Sequence, residues 1–191
     1  MIKNNKLRLV LISPKGPLYR HRGGIFRQSL RYMPLTFPTL KALVPPEIDA
    51  SVQCIDEGIA DVDLNLEADL IGMTVITGTA PRAYALAAHF RRRGIPVVLG
   101  GPHVTLIPAD AQPHADSIVV GYAEEEWPRL LRHFVAGQLQ PRYTQSPNLD
   151  LAGYPLPDRY PVSRVLGAIL NEEFQHRLYV ERDLAALQGG A

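Results

Sequence analysis

The sequence predicts an α/β fold: a doubly wound, five-stranded parallel sheet. Three observations carry this prediction. Short β-branched apolar runs alternate with amphipathic stretches of helical period about every 20–25 residues, the rhythm of strand–helix–strand units. The run over 69–76, Asp-Leu-Ile-Gly-Met-Thr-Val-Ile, is nearly continuous in apolar residues, as a central strand covered on both faces requires. Val97-Val98-Leu99 runs into Gly100-Gly101-Pro102-His103, a side-chain-poor loop at a strand's carboxyl end. Open α/β sheets bind ligands there, and paired glycines let a ligand approach the backbone closely. A plain strand-to-loop turn would use the same glycines.

The elements follow in order. Leu7 to Ser13 predicts the first strand and ends in Pro14-Lys15-Gly16-Pro17. Residues 14–33 read as a long loop rich in Gly, Arg and Tyr, and loops of such length are functional or disordered. Pro38 suits the first turn of a helix running to about Leu43, stopped by Pro45-Pro46. Ala50 to Asp56 alternates and predicts the second strand; residues 69–76 predict the third. Thr77-Gly78-Thr79 follows. Ala80-Pro81 then opens a helix to about Arg93, with Ala83, Leu86, Ala87 and Phe90 inward and Gly94 as its stop. Ile95 to Gly100 predicts the fourth strand, Thr105 to Ala111 a short irregular or helical piece, and Ser117 to Val120 the fifth strand, ending at Gly121. Glu124 to Ala136 predicts a helix with Trp127, Leu130, Leu131 and Phe134 inward, closed by Gly137. Its leading glutamates suit the positive end of the helix dipole. The expected division is a sheet domain over 1–137, a Pro-rich strap over 138–163 and a helical tail over 164–191.

At 191 residues the chain can bury a sizeable core, and 46% apolar with 20% charged residues is ordinary for a globular protein. The single cysteine, Cys54, excludes an intramolecular disulfide and any multi-cysteine iron–sulfur or zinc site within this sequence. No apolar run reaches ~18 residues, so no membrane span is expected. The first residues lack the features of a signal peptide, and a cytoplasmic location is expected. The net charge of +1 hides an asymmetry: residues 1–46 hold nine Lys or Arg and no acid, whereas the remainder holds eleven Arg and all 19 acids. Lys15, Arg20, His21, Arg22, Arg27 and Arg31 form a basic cluster. It suits phosphates, an acidic partner surface or simple solvation. Nucleic acid is not expected, because no recognised binding motif accompanies the charge.

Five strand-end motifs occur together. They are Leu-Ile-Ser-Pro after the first strand, Ile-Asp after the second, and Met-Thr-Val-Ile-Thr-Gly-Thr after the third. Leu-Gly-Gly-Pro-His-Val-Thr follows the fourth and Val-Val-Gly-Tyr-Ala-Glu-Glu-Glu the fifth. In this order and spacing, over about residues 7–160, the chain resembles the N-terminal cobalamin-binding domain of cobalamin-dependent radical S-adenosylmethionine (SAM) enzymes, a group that includes methylases of unactivated carbons. The resemblance implies a flavodoxin-like, Rossmann-like sheet. The corrin ring would lie above the strand ends, with the nucleotide tail between the third and fourth. The implied cofactor-binding residues are Ser13 and Pro14 after the first strand, and Thr74, Thr77, Gly78 and Thr79 after the third. The fourth strand end adds Gly100, Gly101, Pro102 and His103, and the fifth Gly121, Tyr122 and Glu124. The tail carries a phosphodiester, a sugar and a flat base, so hydroxyl and amide donors with glycine clearance fit it chemically. Thr77 and Thr79 equally suit helix N-capping.

Two departures from related patterns matter. Cobalamin domains of the mutase type carry Asp-x-His-x-x-Gly after the first strand, and that histidine ligates cobalt. Here Ser13-Pro14-Lys15-Gly16-Pro17 takes the place, and His21 lies farther on. The cofactor is therefore expected base-off, or otherwise without a protein histidine on cobalt. His103 is the runner-up ligand, but the resemblance makes the Gly-Gly-Pro-His turn a nucleotide-tail contact, and a histidine there equally suits a satisfied turn donor. The second departure is the absence of the Cys-x3-Cys-x2-Cys run that holds a [4Fe–4S] cluster. The expectation is a truncated or free-standing cobalamin module, not catalytic alone, with no catalytic residue and no protein metal ligand. A radical SAM enzyme or another protein partner would dock through the basic loop 15–31. Two further readings are a nucleotide-dependent transferase on the same sheet and a ligand-free, receiver-like interaction domain. The first lacks a Gly-x-Gly-x-x-Gly or Gly-x4-Gly-Lys-Ser/Thr loop, although Asp56 and Glu57 could hold a ribose. The second lacks an acidic pocket at the first strand end and a phosphoacceptor Asp at the third.

Overall fold

The computed structural model describes residues 6–16 and 36–150. The basic positions Arg20 to Arg31, the strap beyond 150 and the helical tail expected over 164–191 lie outside the described residues. The strands are β1 (Leu7–Ser13), β2 (Ala50–Asp56), β3 (Leu70–Thr74), β4 (Val97–Gly100), β5 (Ser117–Val120) and β6 (Arg142–Thr144). They form one sheet in the order β2-β1-β3-β4-β5-β6, and every pair is parallel. The helices are α1 (Thr36–Ala42), α2 (Ala80–Arg92), α3 (Pro102–Leu106), α4 (Pro108–Ala111) and α5 (Glu126–Val135). Pro81, Pro102 and Pro108 sit in the first turns of α2, α3 and α4, where a missing N–H costs nothing.

Strand alternation builds two cores. Val10, Ile12, Ile71, Val97 and Leu99 face α2, whose Ala83, Leu86, Ala87 and Phe90 are buried as their spacing predicts. Leu9, Leu11, Leu70, Val98 and Val119 face α1 and α5 on the other side. There Phe37 of α1 packs with Trp127, Leu130 and Leu131 of α5. The Trp127 indole N–H donates to the Leu40 carbonyl at 3.0 Å, tying the two helices across 87 residues of sequence.

The sheet has six strands, not the five expected. Arg142–Thr144 adds in parallel to β5, within the stretch read from its prolines as a strap. The anchor is Tyr143, fully buried. Its hydroxyl lies 3.0 Å from Nδ1 of His133 and accepts from the Gln140 amide at 3.1 Å. The Arg129 guanidinium lies over its ring, 5.3 Å from the centroid. Parallel pairing carries the chain back to the carboxyl end of the sheet, so β6 delivers Gln145 to the ligand side.

A candidate ligand cavity at the strand carboxyl ends

On the face covered by α1 and α5, β3 presents Leu70, Gly72 and Thr74, and β4 presents Val98 and Gly100. Gly72 pairs with Val98 and Thr74 with Gly100, so two of these five positions carry no side chain. A cavity of about 650 Å³ lies along this face between the sheet, α1 and α5. This lies within the usual size range of small-molecule sites, about 300–1,000 Å³. Its inner wall is apolar: Leu11, Phe37, Val98, Val119 and Trp127 are all buried. A Cβ on Gly72 would come within 3.0 Å of Leu11 Cδ2 and 3.4 Å of Trp127 Cη2, so this glycine admits the indole that closes the cavity. A Cβ on Gly100 would meet nothing nearer than Val119 at 3.7 Å, so this glycine leaves its space open.

The rim is built by the loops. The Gly121 amide donates to Thr105 Oγ1 at 2.9 Å, and the Tyr122 amide to Gln145 Oε1 at 2.8 Å. These bonds join α3, the end of β5 and the segment after β6. Leu106 is 76% exposed, Tyr122 61% and Ile76 55%. Of these, Leu106 and Tyr122 line the cavity, where large exposed apolar side chains offer a ligand surface to cover.

The residues expected to bind a cofactor divide. Thr74, Gly100, Gly101, Pro102, Gly121, Tyr122 and Glu124 line the cavity. Ser13, Pro14, Thr77, Gly78, Thr79 and His103 do not. Thr79 Oγ1 accepts from the Ile76 amide at 3.2 Å and donates to the Ile76 carbonyl at 3.1 Å, closing the 3-10 turn Thr77–Thr79. His103 is buried. Its Nε2 lies 3.0 Å from Asp110 Oδ2 and 2.9 Å from the Tyr84 hydroxyl, and its Nδ1 3.3 Å from Thr77 Oγ1. Tyr84 also donates to Asp110 at 2.8 Å. A proton on Nε2 satisfies all these contacts, with Thr77 donating to Nδ1. Burial, then the Asp110 carboxylate, pushes the Tyr84 phenol up. The Tyr84 and His103 hydrogen bonds hold Asp110 below the usual carboxylate range. His103 therefore braces the loop after β3 against α2, α3 and α4.

Gly101 also differs from expectation. Its φ is +100°, and a Cβ there would stand 2.8 Å from the Val75 nitrogen and 2.9 Å from the Val75 oxygen. The glycine is required by this close backbone approach, which permits Val75 N–H to reach Gly100 O at 2.8 Å and His103 N–H to reach Val75 O at 3.0 Å. A side chain at 101 would strike β3's exit loop rather than enter a ligand channel. Glu57, offered as a ribose holder, is fully buried. It accepts from Arg82 Nη2 at 2.6 Å and Nε at 3.0 Å, and from the Lys15 amide at 3.1 Å. Burial pushes its carboxyl up, but the Arg82 bonds and the Lys15 amide outweigh this and hold it below the ordinary range.

Sequence reasoning missed the walls: Leu11, Phe37 and Leu40 on one side, Trp127 and Gln145 on the other. The available signal was strand alternation, which places Gly72 on the same face as Thr74. Among the described residues, no group of three or more His, Cys, Asp or Glu is placed to hold a metal. Nor is any helix among the described residues long and apolar enough to cross a membrane.

Comparison with known proteins agrees with the resemblance read from the motifs. Residues 47–131 match the model of the B12 binding domain family. This span runs from the turn before β2 into α5 and includes Thr74, Gly100, Gly121 and Trp127. A bacteriochlorophyllide d C-8(2)-methyltransferase of Chlorobaculum tepidum is 40% identical over 105 residues, which cover 54% of this chain and 23% of that protein. The chain thus spans about a quarter of the length of the curated relative it matches.

Proposed function

We propose that the B12-binding region of this chain is a working cobalamin module, with the nucleotide tail in the cavity between α1, α5 and the sheet. The observation that carries this reading is Gly100, which leaves open space beside an apolar wall at the strand end. The tail would enter past Thr74 and Gly100, between the ends of β3 and β4. The corrin would rest on the exposed apolar rim of Leu106, Tyr122 and Ile76. These residues bind by excluding water and by shape, while the Thr105 and Gln145 bonds fix the rim loops. Bound cobalamin supplies a cobalt centre that can carry a methyl group. No residue of the chain is assigned a catalytic role: the module would present the cofactor to a methyl-transferring radical SAM domain or partner. The basic cluster 15–31 is the segment we assign to that docking, where its charge would steer association. The relative's methyltransferase activity makes methyl transfer the favoured reaction class. The ribose-holding alternative is weakened by the Arg82 ion pair that occupies Glu57.

The test is retention of hydroxocobalamin. Mixed with the protein and passed through a desalting column, it should co-elute at one equivalent by its visible absorption. Colourless protein with an intact circular dichroism spectrum would defeat the proposal.

A further inference from the structure

We propose that the cavity discriminates among corrinoids by the base that ends the tail, favouring an apolar aromatic base over a purine. This rests on the placement of the tail given above. Phe37, Val98, Val119 and Trp127 supply the inner wall, and none offers a free hydrogen-bonding group to the cavity. The one donor among their side chains, the Trp127 indole N–H, is spent on the Leu40 carbonyl.

The polar lining lies elsewhere. Thr105 Oγ1 and Gln145 Oε1 hold backbone amides of the rim. Thr74 sits at the strand end, Tyr122 and Glu124 lie beyond β5 at the rim, and α1 adds the hydroxyls of Thr36 and Thr39, none of them as fully buried as the inner wall. An adenine brings an exocyclic amine and several ring nitrogens. Each loses water on entry and must find a partner, and a buried polar group without one is penalised. A methylated benzimidazole or a cresol ring presents only carbon on its outer edge. It can pack against Trp127 and Phe37, as aromatic groups do in apolar sites.

The experiment measures corrinoid affinities by equilibrium dialysis with the full chain. Four probes are compared: cobalamin, its adenine-base analogue, its cresol-base analogue, and cobinamide, which has no nucleotide tail. The cresol ring cannot coordinate cobalt, so its gap to cobalamin, whose apolar base must leave the metal, reads the cost of lifting a base, and the cresol-to-adenine ratio is judged against that gap. The cresol form should bind at least tenfold more tightly than the adenine form, and cobinamide more weakly than the cresol form. Val98→Thr, nearly unchanged in shape but with a hydroxyl on the inner wall, should narrow the cresol-to-adenine ratio. Adenine binding as tight as cresol binding overturns the base preference and leaves the tail site standing. Cobinamide binding as tight as all the others overturns the tail placement as well. Failure of every probe overturns the module itself.

Discussion

Gly100 and Gly101 are adjacent and chemically identical, yet a side chain at each would meet different surroundings. At 100 a Cβ enters open space beside Val119. At 101 it strikes the backbone of Val75, from a φ of +100° that L side chains rarely adopt. Gly100→Val should therefore fold with a midpoint close to the parent's yet lose at least tenfold in cobalamin affinity, read by dialysis. Gly101→Ala should lose stability by about 1–3 kcal/mol in urea unfolding, the usual cost of such strain. The glycine pair was legible in the sequence. Its division was not, because φ and a neighbouring strand's backbone decide it. His103 was ambiguous for the same reason: its partners Tyr84, Asp110 and Thr77 come from three other elements. Glu57 gives a pH prediction at this scale. Its carboxyl titrates lower when folded than the ordinary value of about 4.3. Its contribution is thus complete above that value and is lost as pH falls through the lower folded one. Glu57→Gln should be less stable than the parent at pH 7, and the gap should close as acid is added below about pH 4. A gap that stays constant across that range would remove the ion pair as its cause.

At the scale of elements, β1 to β5 and the helices α2 and α5 were legible because their apolar periods are strong. The sheet they form needs both faces covered, and the long apolar run at β3 announced this. β6 was not legible. Three residues, exposed, buried and exposed, carry too short a pattern, and the prolines around them favour an extended strap. What makes the strand is tertiary: Tyr143 fits beneath α5, and Gln112 Nε2 donates to the Pro141 carbonyl at 2.9 Å. The cavity walls were hidden for a related reason, since Leu40 and Trp127 are paired only by folding. β6 links stability to the ligand rim through Gln145. Tyr143→Ala should cost about 3–5 kcal/mol, as large aromatic truncations in a core do. Gln145→Ala should leave stability within about 0.5 kcal/mol, as for a half-exposed position. It should still weaken cobalamin binding, because the Tyr122 amide loses its acceptor at the rim. Unchanged binding in Gln145→Ala would show that the rim does not depend on β6.

Across the molecule, the described histidines are all committed away from the cavity. Nε2 of His89 is 2.9 Å from the Leu64 carbonyl, and His114 stacks on Tyr84 with centroids 3.9 Å apart. His133 is bonded to Tyr143, and His103 sits inside its brace. None of the four lines the cavity. A cofactor with its tail drawn between α1 and α5 would also hold its own base far from the metal. The described histidines and the cofactor's own base are both thereby kept from the metal, and the expected outcome is a cobalt without axial nitrogen beneath the ring. Electron paramagnetic resonance of the cob(II) form reads this directly, because an axial nitrogen splits each cobalt line. Uniform labelling of the protein with nitrogen-15 then identifies the donor. A protein imidazole would change the splitting from three lines to two, whereas the cofactor's own base would leave three. The expected spectrum shows neither pattern, in labelled and unlabelled protein alike. Two-line splitting in labelled protein would place a histidine on cobalt and point to His21 or His176, both outside the described residues. Three-line splitting that persists with the label would mean that the base never leaves the metal. The cavity between α1 and α5 would then need another occupant.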